Sequence, residues 1–245
     1  MKKILIIALL CGIFAAPAFA EKNYKKQSYD LFIVGRILDW DGIVDSLKAE
    51  PARTLDQDIE LLTYYYGLVG HLMDIDKKKA RAWLDEAMPV ITPLLEKYPD
   101  DARLVGLMAN FKGFAIALSP LKATTLARSM LQLARRAPQL APENPEANIW
   151  GANILFYMPN ALGGNTKQSK VYYQKAMELY EDNEALRANN WMYLQLIVTL
   201  GLVEEKAGNY EGALEYYQKV MRLFPDYPHV KEVLYPRVVK EMEKK

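Results

Sequence analysis

The sequence has little of the chemistry on which most enzymes depend. Its 245 residues include one cysteine, Cys11, and two histidines, His71 and His229. Cys11 lies in an apolar N-terminal run, so a chain cut after that run has no thiol for catalysis, zinc binding or a disulfide. The two histidines lie far apart in the sequence, and neither has a partner at metal-ligand spacing. Both are therefore interpreted as structural or surface residues.

An excess of charge of one sign is also absent. The chain has 31 Lys and Arg residues against 30 Asp and Glu residues. This balance excludes the strongly basic footprint of a nucleic-acid-binding protein, so no nucleic-acid partner is expected. With 51% apolar and 25% charged residues, the chain has an ordinary globular composition and can bury a large core.

Motifs that carry catalysis are missing as well. No G-x-S-x-G sequence occurs, and the Gly163-Gly164-Asn165 turn lacks the lysine and the preceding strand of a phosphate-binding loop. The two carboxylates of "DWDG" lack the further ligands of a calcium loop, so Asp39 is interpreted as a helix cap. The sequence predicts a protein that is not an enzyme and holds no cofactor or metal. A glycan hydrolase with two convergent acids is the minor alternative, because acidic residues are scattered along the chain.

The N-terminus has the three parts of an export signal. Lys2 and Lys3 precede an apolar run over residues 4–16, and an A-x-A cleavage site ends at Ala20. The run is shorter than the ~20 residues that span a membrane. We therefore predict that residues 1–20 are a signal peptide cleaved after Ala20, with an uncleaved anchor helix as the alternative.

Cleavage at that point leaves residues 21–245, which we expect to be one domain in the periplasm or outside the cell. Attachment as a lipoprotein through Cys11 is disfavoured, because Leu10 is bulkier than the residue that such sites prefer.

Helical periodicity covers nearly all of the remaining chain, and no stretch alternates like a strand. Short segments rich in Pro, Gly and Asn separate the periodic stretches, so successive helices should be antiparallel. The predicted helices cover residues 24–37, 40–50, 56–72, 77–97, 101–117, 121–138, 145–158, 166–181, 184–207, 210–224 and 228–243.

A repeat signature lies between Leu200 and Pro225. Gly201 allows two helices to approach closely, and Gly208 suits a turn that other residues resist. Pro225 stops the second helix. The complete pattern is Leu200-Gly201, Gly208, Ala213, Tyr217, Val220 and Pro225. It resembles the tetratricopeptide repeat family, whose members stack antiparallel helical hairpins. Glu204 departs from the aromatic residue that this family prefers.

A second copy precedes the first by 44 residues, where "GGNTKQSKVYYQKAMELYED" aligns with "AGNYEGALEYYQKVMRLFPD". A plain repeat has ~34 residues, so about ten extra residues must lengthen helix 184–207 or its loop. Weaker copies occur at residues 38–51 and 74–101. The resemblance predicts an all-α, antiparallel helical-hairpin (TPR-like) solenoid of about five pairs, with a capping helix at the C-terminus.

The two members of each tyrosine pair are expected to differ in burial. Helical spacing places Tyr173 and Tyr217 in the core, and Tyr172 and Tyr216 nearer the outer face. An aromatic surface that grips a partner peptide is the alternative interpretation.

Residues 145–182 are also similar to exported bacterial repeat proteins, including the extracytoplasmic component associated with TRAP transporters. This resemblance and the export signal imply a scaffold or adaptor that binds a protein or peptide in the cell envelope, with peripheral association with envelope complexes. The alternative is a small-molecule-binding accessory protein of a periplasmic transport system, which needs an internal cavity.

In the repeat family, the first helix of each hairpin lines the concave side, and this places the predicted binding face. The face is apolar in one hairpin and mixed in the next, so it lacks a cationic clamp. Its residues are Ile154, Met158, Gln195, Val198, Leu202 and Glu205. Alternatively, the C-terminal helix folds over the face and fills it with Val230, Val233, Leu234 and Val238.

The export prediction can be tested directly. We expect the protein recovered from the periplasm or medium of an expressing cell to begin at Glu21, because Ala20 ends the cleavage site. N-terminal sequencing or intact mass measures this. Recovery of a chain that still begins at Met1 would contradict the prediction.

Overall fold

The computed structural model describes residues 23–244, so the predicted signal peptide and Cys11 lie outside the described residues. Within that range the chain forms twelve α-helices and no β-strand, and none of these helices is both long enough and apolar enough to cross a bilayer. Their bounds are α1 Tyr24–Ile33, α2 Trp40–Lys48, α3 Leu55–Leu72, α4 Lys77–Lys97, α5 Ala102–Leu118, α6 Ala123–Leu140, α7 Pro145–Tyr157, α8 Thr166–Glu181, α9 Glu184–Arg187, α10 Trp191–Lys206, α11 Tyr210–Leu223 and α12 Tyr235–Met242.

The helices pair as five antiparallel hairpins, as predicted. The pairs are α1 with α2, α3 with α4, α5 with α6, α7 with α8, and α10 with α11, and α12 packs on α11 as a C-terminal cap. The hairpins pack in sequence, because each first helix contacts the preceding hairpin. This arrangement confirms the all-α helical-hairpin solenoid.

The predicted single helix over residues 184–207 is wrong. Asn189 has a left-handed backbone, with φ of 51°, which breaks the helix between α9 and α10. Asn tolerates this conformation better than most residues, and the next residue, Asn190, caps α10 by accepting a hydrogen bond of 3.0 Å from the Met192 amide. The extra residues of this repeat therefore form a short helix and a turn.

The first helices of the last four hairpins, α3, α5, α7 and α10, form an inner layer in which most residues are buried. In α7, eleven of the thirteen residues are buried. The outer helices bury one stripe only, and in α11 this stripe is Ala213, Tyr217 and Val220. A helix that is apolar all round requires cover on all sides, whereas an amphipathic helix can face water. The inner layer therefore holds most of the core.

Glycine allows the closest helix contacts. A Cβ atom on Gly201 would lie 2.3 Å from the ring of Tyr217, and one on Gly106 would lie 2.5 Å from Trp150. Gly208 forms the turn between α10 and α11 with φ of 76°. The roles predicted for Gly201 and Gly208 are confirmed. Tyr173 and Tyr217 are fully buried while Tyr172 and Tyr216 are half-buried, which also agrees with prediction.

The first hairpin closes on the last one through an aromatic cluster, which we define as Phe32, Trp40, Trp191 and Tyr227. The ring of Phe32 lies 5.2 Å from that of Trp191, 5.8 Å from that of Trp40 and 5.6 Å from that of Tyr227, measured between centroids. The indole of Trp40 also donates a hydrogen bond of 2.9 Å to the Ser28 carbonyl. The described helices thus form a closed arrangement with aromatic residues at the seam.

Truncation of Phe32 should test this seam. We expect Phe32→Ala to lower the free energy of unfolding by about 3–5 kcal/mol, because it leaves a cavity among buried rings. Leu38→Ala is the control in the same hairpin, since Leu38 is 47% exposed, and it should change stability by less than about 0.5 kcal/mol. Urea unfolding measures both values, and equal losses would contradict the packing.

Candidate functional site

A cavity of about 200 Å³ opens at the edge where the inner helices begin. All first helices of a hairpin row point the same way, so their N-terminal turns meet at one edge. We call this space the mouth cavity. The residues that matter most for its chemistry are Lys25, Glu60, Tyr64, Arg103, Glu146 and Trp191.

Side-chain caps hold the helix starts around the mouth cavity. Thr54 and Gln57 form a reciprocal capping box at α3, and Asp101 accepts backbone hydrogen bonds at α5. Asn144 caps α7 in the same way. Because each cap fixes the first turn of its helix, it also fixes the direction of the polar residues in that turn. Side chains from five separate helices are thereby held around one small space.

The cation from α5 is already balanced. The guanidinium of Arg103 lies 2.8 Å from the Asp101 carboxylate and 2.7 Å from the Asp56 carboxylate. The positive charge of Arg103 is therefore balanced by these two carboxylates at the cavity wall. Lys25 is exposed at the rim, and its ammonium group makes no ion pair or hydrogen bond within residues 23–244.

Two carboxylates remain at the cavity with less compensation. Glu60 accepts a hydrogen bond from the Tyr64 hydroxyl, and burial raises the pKa of its carboxyl. Glu146, in the first turn of α7, is half-buried and accepts no hydrogen bond from the described residues. Burial raises the pKa of Glu146, although the charges of Arg103 and Lys25 act in the opposite direction. The cavity therefore presents hydrogen-bond acceptors that a cationic group would satisfy.

A buried polar network lies deeper between the inner helices. The Asn153 amide donates to the Tyr66 hydroxyl at 2.9 Å, and its carbonyl accepts from the Tyr173 hydroxyl at 2.7 Å. Asn110 donates to the Trp150 carbonyl at 3.0 Å. These bonds join four helices and satisfy the polar atoms, so the network contributes to a single arrangement of the core.

A second space, of about 440 Å³, is a groove on the outer layer between α6 and α8. Arg135 and Gln139 form one side of this groove, and Gln168 and Tyr172 form the other. Neither space is the enclosed apolar cavity that a small-molecule carrier uses, and the mouth cavity is below the usual ~300–1,000 Å³ of a ligand pocket.

The residues predicted to line the concave face do not form one open surface. Ile154 is buried in a small cluster with Ala109, Met130 and Ala134, and the partly buried Met158 packs against that cluster. The α7 part of the predicted face therefore lies mostly between inner and outer helices. Its binding role stays a prediction that nothing here tests.

The α10 part of that face is divided in the same way. Val198 is buried in the main core, whereas Gln195 and Leu202 are half-buried. Glu205 accepts two hydrogen bonds from Arg237 of α12, at 2.8 and 2.9 Å. The C-terminal segment therefore covers this end of α10, and it buries Val230, Leu234 and Val238 while Val233 stays exposed.

The polar residues of the mouth cavity were missed by sequence reasoning. They lie in different helices and share no motif, so only the fold brings them together. The available signal was positional, because Glu60, Arg103 and Glu146 all lie near the start of a predicted first helix. Asn110 and Asn153 were also detectable, as polar residues inside helices that are otherwise apolar.

Neither histidine lies near these carboxylates. His71 is eleven residues after Glu60 on α3, which is about 16 Å along a helix. His71 and His229 lie close enough to interact, and the pKa of His229 is lowered by burial first and then by the charges of Arg237 and His71. Over residues 23–244, no three His, Cys, Asp or Glu side chains are grouped to hold a metal ion.

Comparison with family models then identifies one segment. Residues 195–227 match the tetratricopeptide repeat. One tetratricopeptide repeat is therefore present in the chain. It covers most of α10, all of α11 and the Pro225 stop, which is the segment with the repeat signature. The start of α10 also supplies Trp191 to the mouth cavity.

The other comparisons add less. No curated protein matches the chain. A solved structure described as the crystal structure of MamA protein aligns with 75% of this chain and 88% of that chain, at 18% identity and a TM-score of 0.39. A likeness at this level carries no conclusion about what this chain binds.

Neutralising Glu146 should stabilise the protein at neutral pH. A carboxyl whose pKa is raised by folding favours the folded state below its unfolded pKa of about 4.3, and that stability is lost as the pH rises through the folded pKa. Glu146→Gln removes the loss, so its free energy of unfolding should exceed that of the wild type at pH 7 and match it at pH 4.

Urea unfolding at the two pH values measures this difference. Glu143→Gln is the control, because Glu143 is exposed and pairs with Lys175 at 3.2 Å on the surface. A wild type that is more stable than Glu146→Gln at pH 7 would show that the Glu146 carboxylate is satisfied within the protein.

Proposed function

We propose that this chain is an exported, non-enzymatic scaffold or adaptor that binds a protein or peptide partner in the cell envelope. The observation that carries the proposal is the tetratricopeptide repeat at residues 195–227, whose first helix also forms a wall of the mouth cavity. Members of this repeat family commonly act as protein-binding scaffolds. Export rests on the predicted signal peptide at residues 1–20, and association with envelope complexes is part of the same proposal.

The residues that line the mouth cavity indicate which chemical group of the partner binds there. Its volume suits one side chain or a chain terminus. Glu60 and Glu146 supply acceptors, while Trp191 and Tyr64 supply aromatic walls. An ammonium group is stabilised both by carboxylates and by the faces of aromatic rings. The partner therefore places a lysine side chain or its amino terminus in the cavity.

A small-molecule-binding accessory protein is the second candidate. The groove between α6 and α8 has a volume within the usual range for ligands, and its lining includes Gly163, Gly164 and Asn165. These three residues belong to the segment that resembles the TRAP-associated component. The groove is lined mainly by polar groups, which makes this function the weaker of the two.

Site-specific photocrosslinking would identify the partner and its position. A photoreactive amino acid replaces Lys25 at the rim of the mouth cavity or, as the matched control, the exposed Gln174 on outer helix α8. We expect irradiated cells to give a discrete protein adduct from position 25 and none from position 174. The absence of an adduct at position 25, or the same adducts from both positions, would contradict the proposal.

A charge reversal then tests the cavity chemistry. Glu146→Lys should weaken binding of the identified partner at least about tenfold, because it places a cation where the partner's cation must lie. Isothermal titration calorimetry with the mature chain measures the loss, and Glu143→Lys should leave binding unchanged. A small-molecule function would show instead as the absence of a discrete protein adduct at the mouth cavity.

A further inference from the structure

The edge opposite the mouth cavity exposes large apolar side chains. This edge carries the turns that follow the inner helices, and we call it the turn edge. The four most exposed large apolar residues of the described chain all lie on it: Leu121 at 87%, Ile75 at 66%, Tyr157 at 64% and Leu162 at 60% exposed. Each lies at the end of an inner helix or in the turn after it.

These turns lie side by side. Helix α3 packs against α5, and α5 packs against α7, with all three ending at this edge. Packed helices lie ~8–10 Å apart, so Ile75, Leu121 and Leu162 form a row roughly 20 Å long. The side chains of this row project from turns, and the groove between α6 and α8 begins beside Leu162, at Gly163.

Lysines that make no ion pair within the described residues follow each of the exposed apolar residues Ile75, Leu121 and Leu162. Lys122 comes directly after Leu121, Lys167 follows Leu162, and residues 77–79 are three consecutive lysines just after Ile75. All five lysines are exposed, and none makes an ion pair within residues 23–244. In the turns after α3, α5 and α7 the acids are Asp74 and Asp76, of which Asp76 caps α4, and the turn after α10 is followed by the exposed Glu211.

The central part of the sequence contains few acids, although Arg103, Arg136, Lys170 and Lys175 within it pair with acids from elsewhere in the chain. Between residues 102 and 142 the chain has six Lys or Arg residues and no Asp or Glu, and residues 147–177 contain three Lys and again no acid. The near-neutral balance of the whole chain hides this local excess, which is offset elsewhere. The turns at 119–122 and 158–165 both lie in acid-free stretches.

We propose that the turn edge docks on an anionic lipid surface. Ile75, Leu121 and Leu162 enter the headgroup region, and the lysines beside them contact acidic headgroups. Exposed apolar side chains on neighbouring turns, followed by lysines that make no ion pair within residues 23–244, match the apolar and anionic parts of a lipid headgroup region. In this orientation the mouth cavity faces away from the bilayer and stays open to a partner.

Vesicle cosedimentation tests the proposal with the mature chain, residues 21–245. The vesicles contain either phosphatidylcholine alone or equal parts of phosphatidylcholine and phosphatidylglycerol. We expect binding to the anionic vesicles that weakens with added salt, and little binding to phosphatidylcholine alone. The double variant Leu121→Asp/Leu162→Asp should bind at least about tenfold more weakly.

Leu223→Asp is the matched control, because Leu223 is 50% exposed and lies at the end of an outer helix, on the opposite edge. It should bind like the wild type. Circular dichroism checks that each variant is folded, and the substituted side chains are exposed, so folding should persist. If the double variant unfolds, replacement of Lys122 and Lys167 by Gln provides the same comparison.

Three results would overturn the proposal. They are no binding by the wild type, equal binding to both kinds of vesicle, or equal loss in the double variant and the Leu223 control. Salt-sensitive binding to polyglutamate without binding to anionic vesicles would assign the turn edge to an acidic protein instead.

Discussion

Helices α3, α5, α7 and α10 have no polar face, and each must be covered on every side. Outer helices cover one side and neighbouring inner helices cover two more. The remaining side of α10 is covered by α1, through the contact of Phe32 with Trp191. The need to cover apolar helices therefore determines the two-layer order and the closure of the first hairpin on the last. Apart from Lys112, the charged residues of these four helices lie near the helix ends.

Local features were predictable because neighbouring residues determine them. The spacing of Gly201, Ala213 and Tyr217 predicts one hairpin. The periodic apolar stripe of each outer helix predicts the face that packs against the inner layer. The break at Asn189 was missed because the helical periodicity of residues 191–206 was extended back to Glu184, although no residue of α9 is buried. The available signal was the Asn189-Asn190 pair, since Asn tolerates a left-handed backbone and caps helices.

The candidate site was beyond sequence reasoning for a different reason. Glu60, Arg103 and Glu146 meet only because three separate helices begin at the same edge. The concave-face prediction named residues on α7 and α10 but could not distinguish covered from open positions. Ile154 and Val198 are covered by contacts distant in sequence, and Arg237 reaches Glu205 from the far end of the chain. Such contacts depend on closure, which no single repeat encodes.

The seam between the first and last hairpins gives the molecule a fixed size. In an open array of helical repeats, each unit touches only its neighbours, so units can be added or lost and stability changes step by step. Here an inserted hairpin would separate Phe32 from Trp191 and leave both rings in water. The two ends of the described chain are thus coupled. Displacement of α1 would remove the packing of Phe32 on Trp191 of α10, which forms a wall of the mouth cavity. Damage to one terminus would propagate to the cavity without any change in the residues that line it.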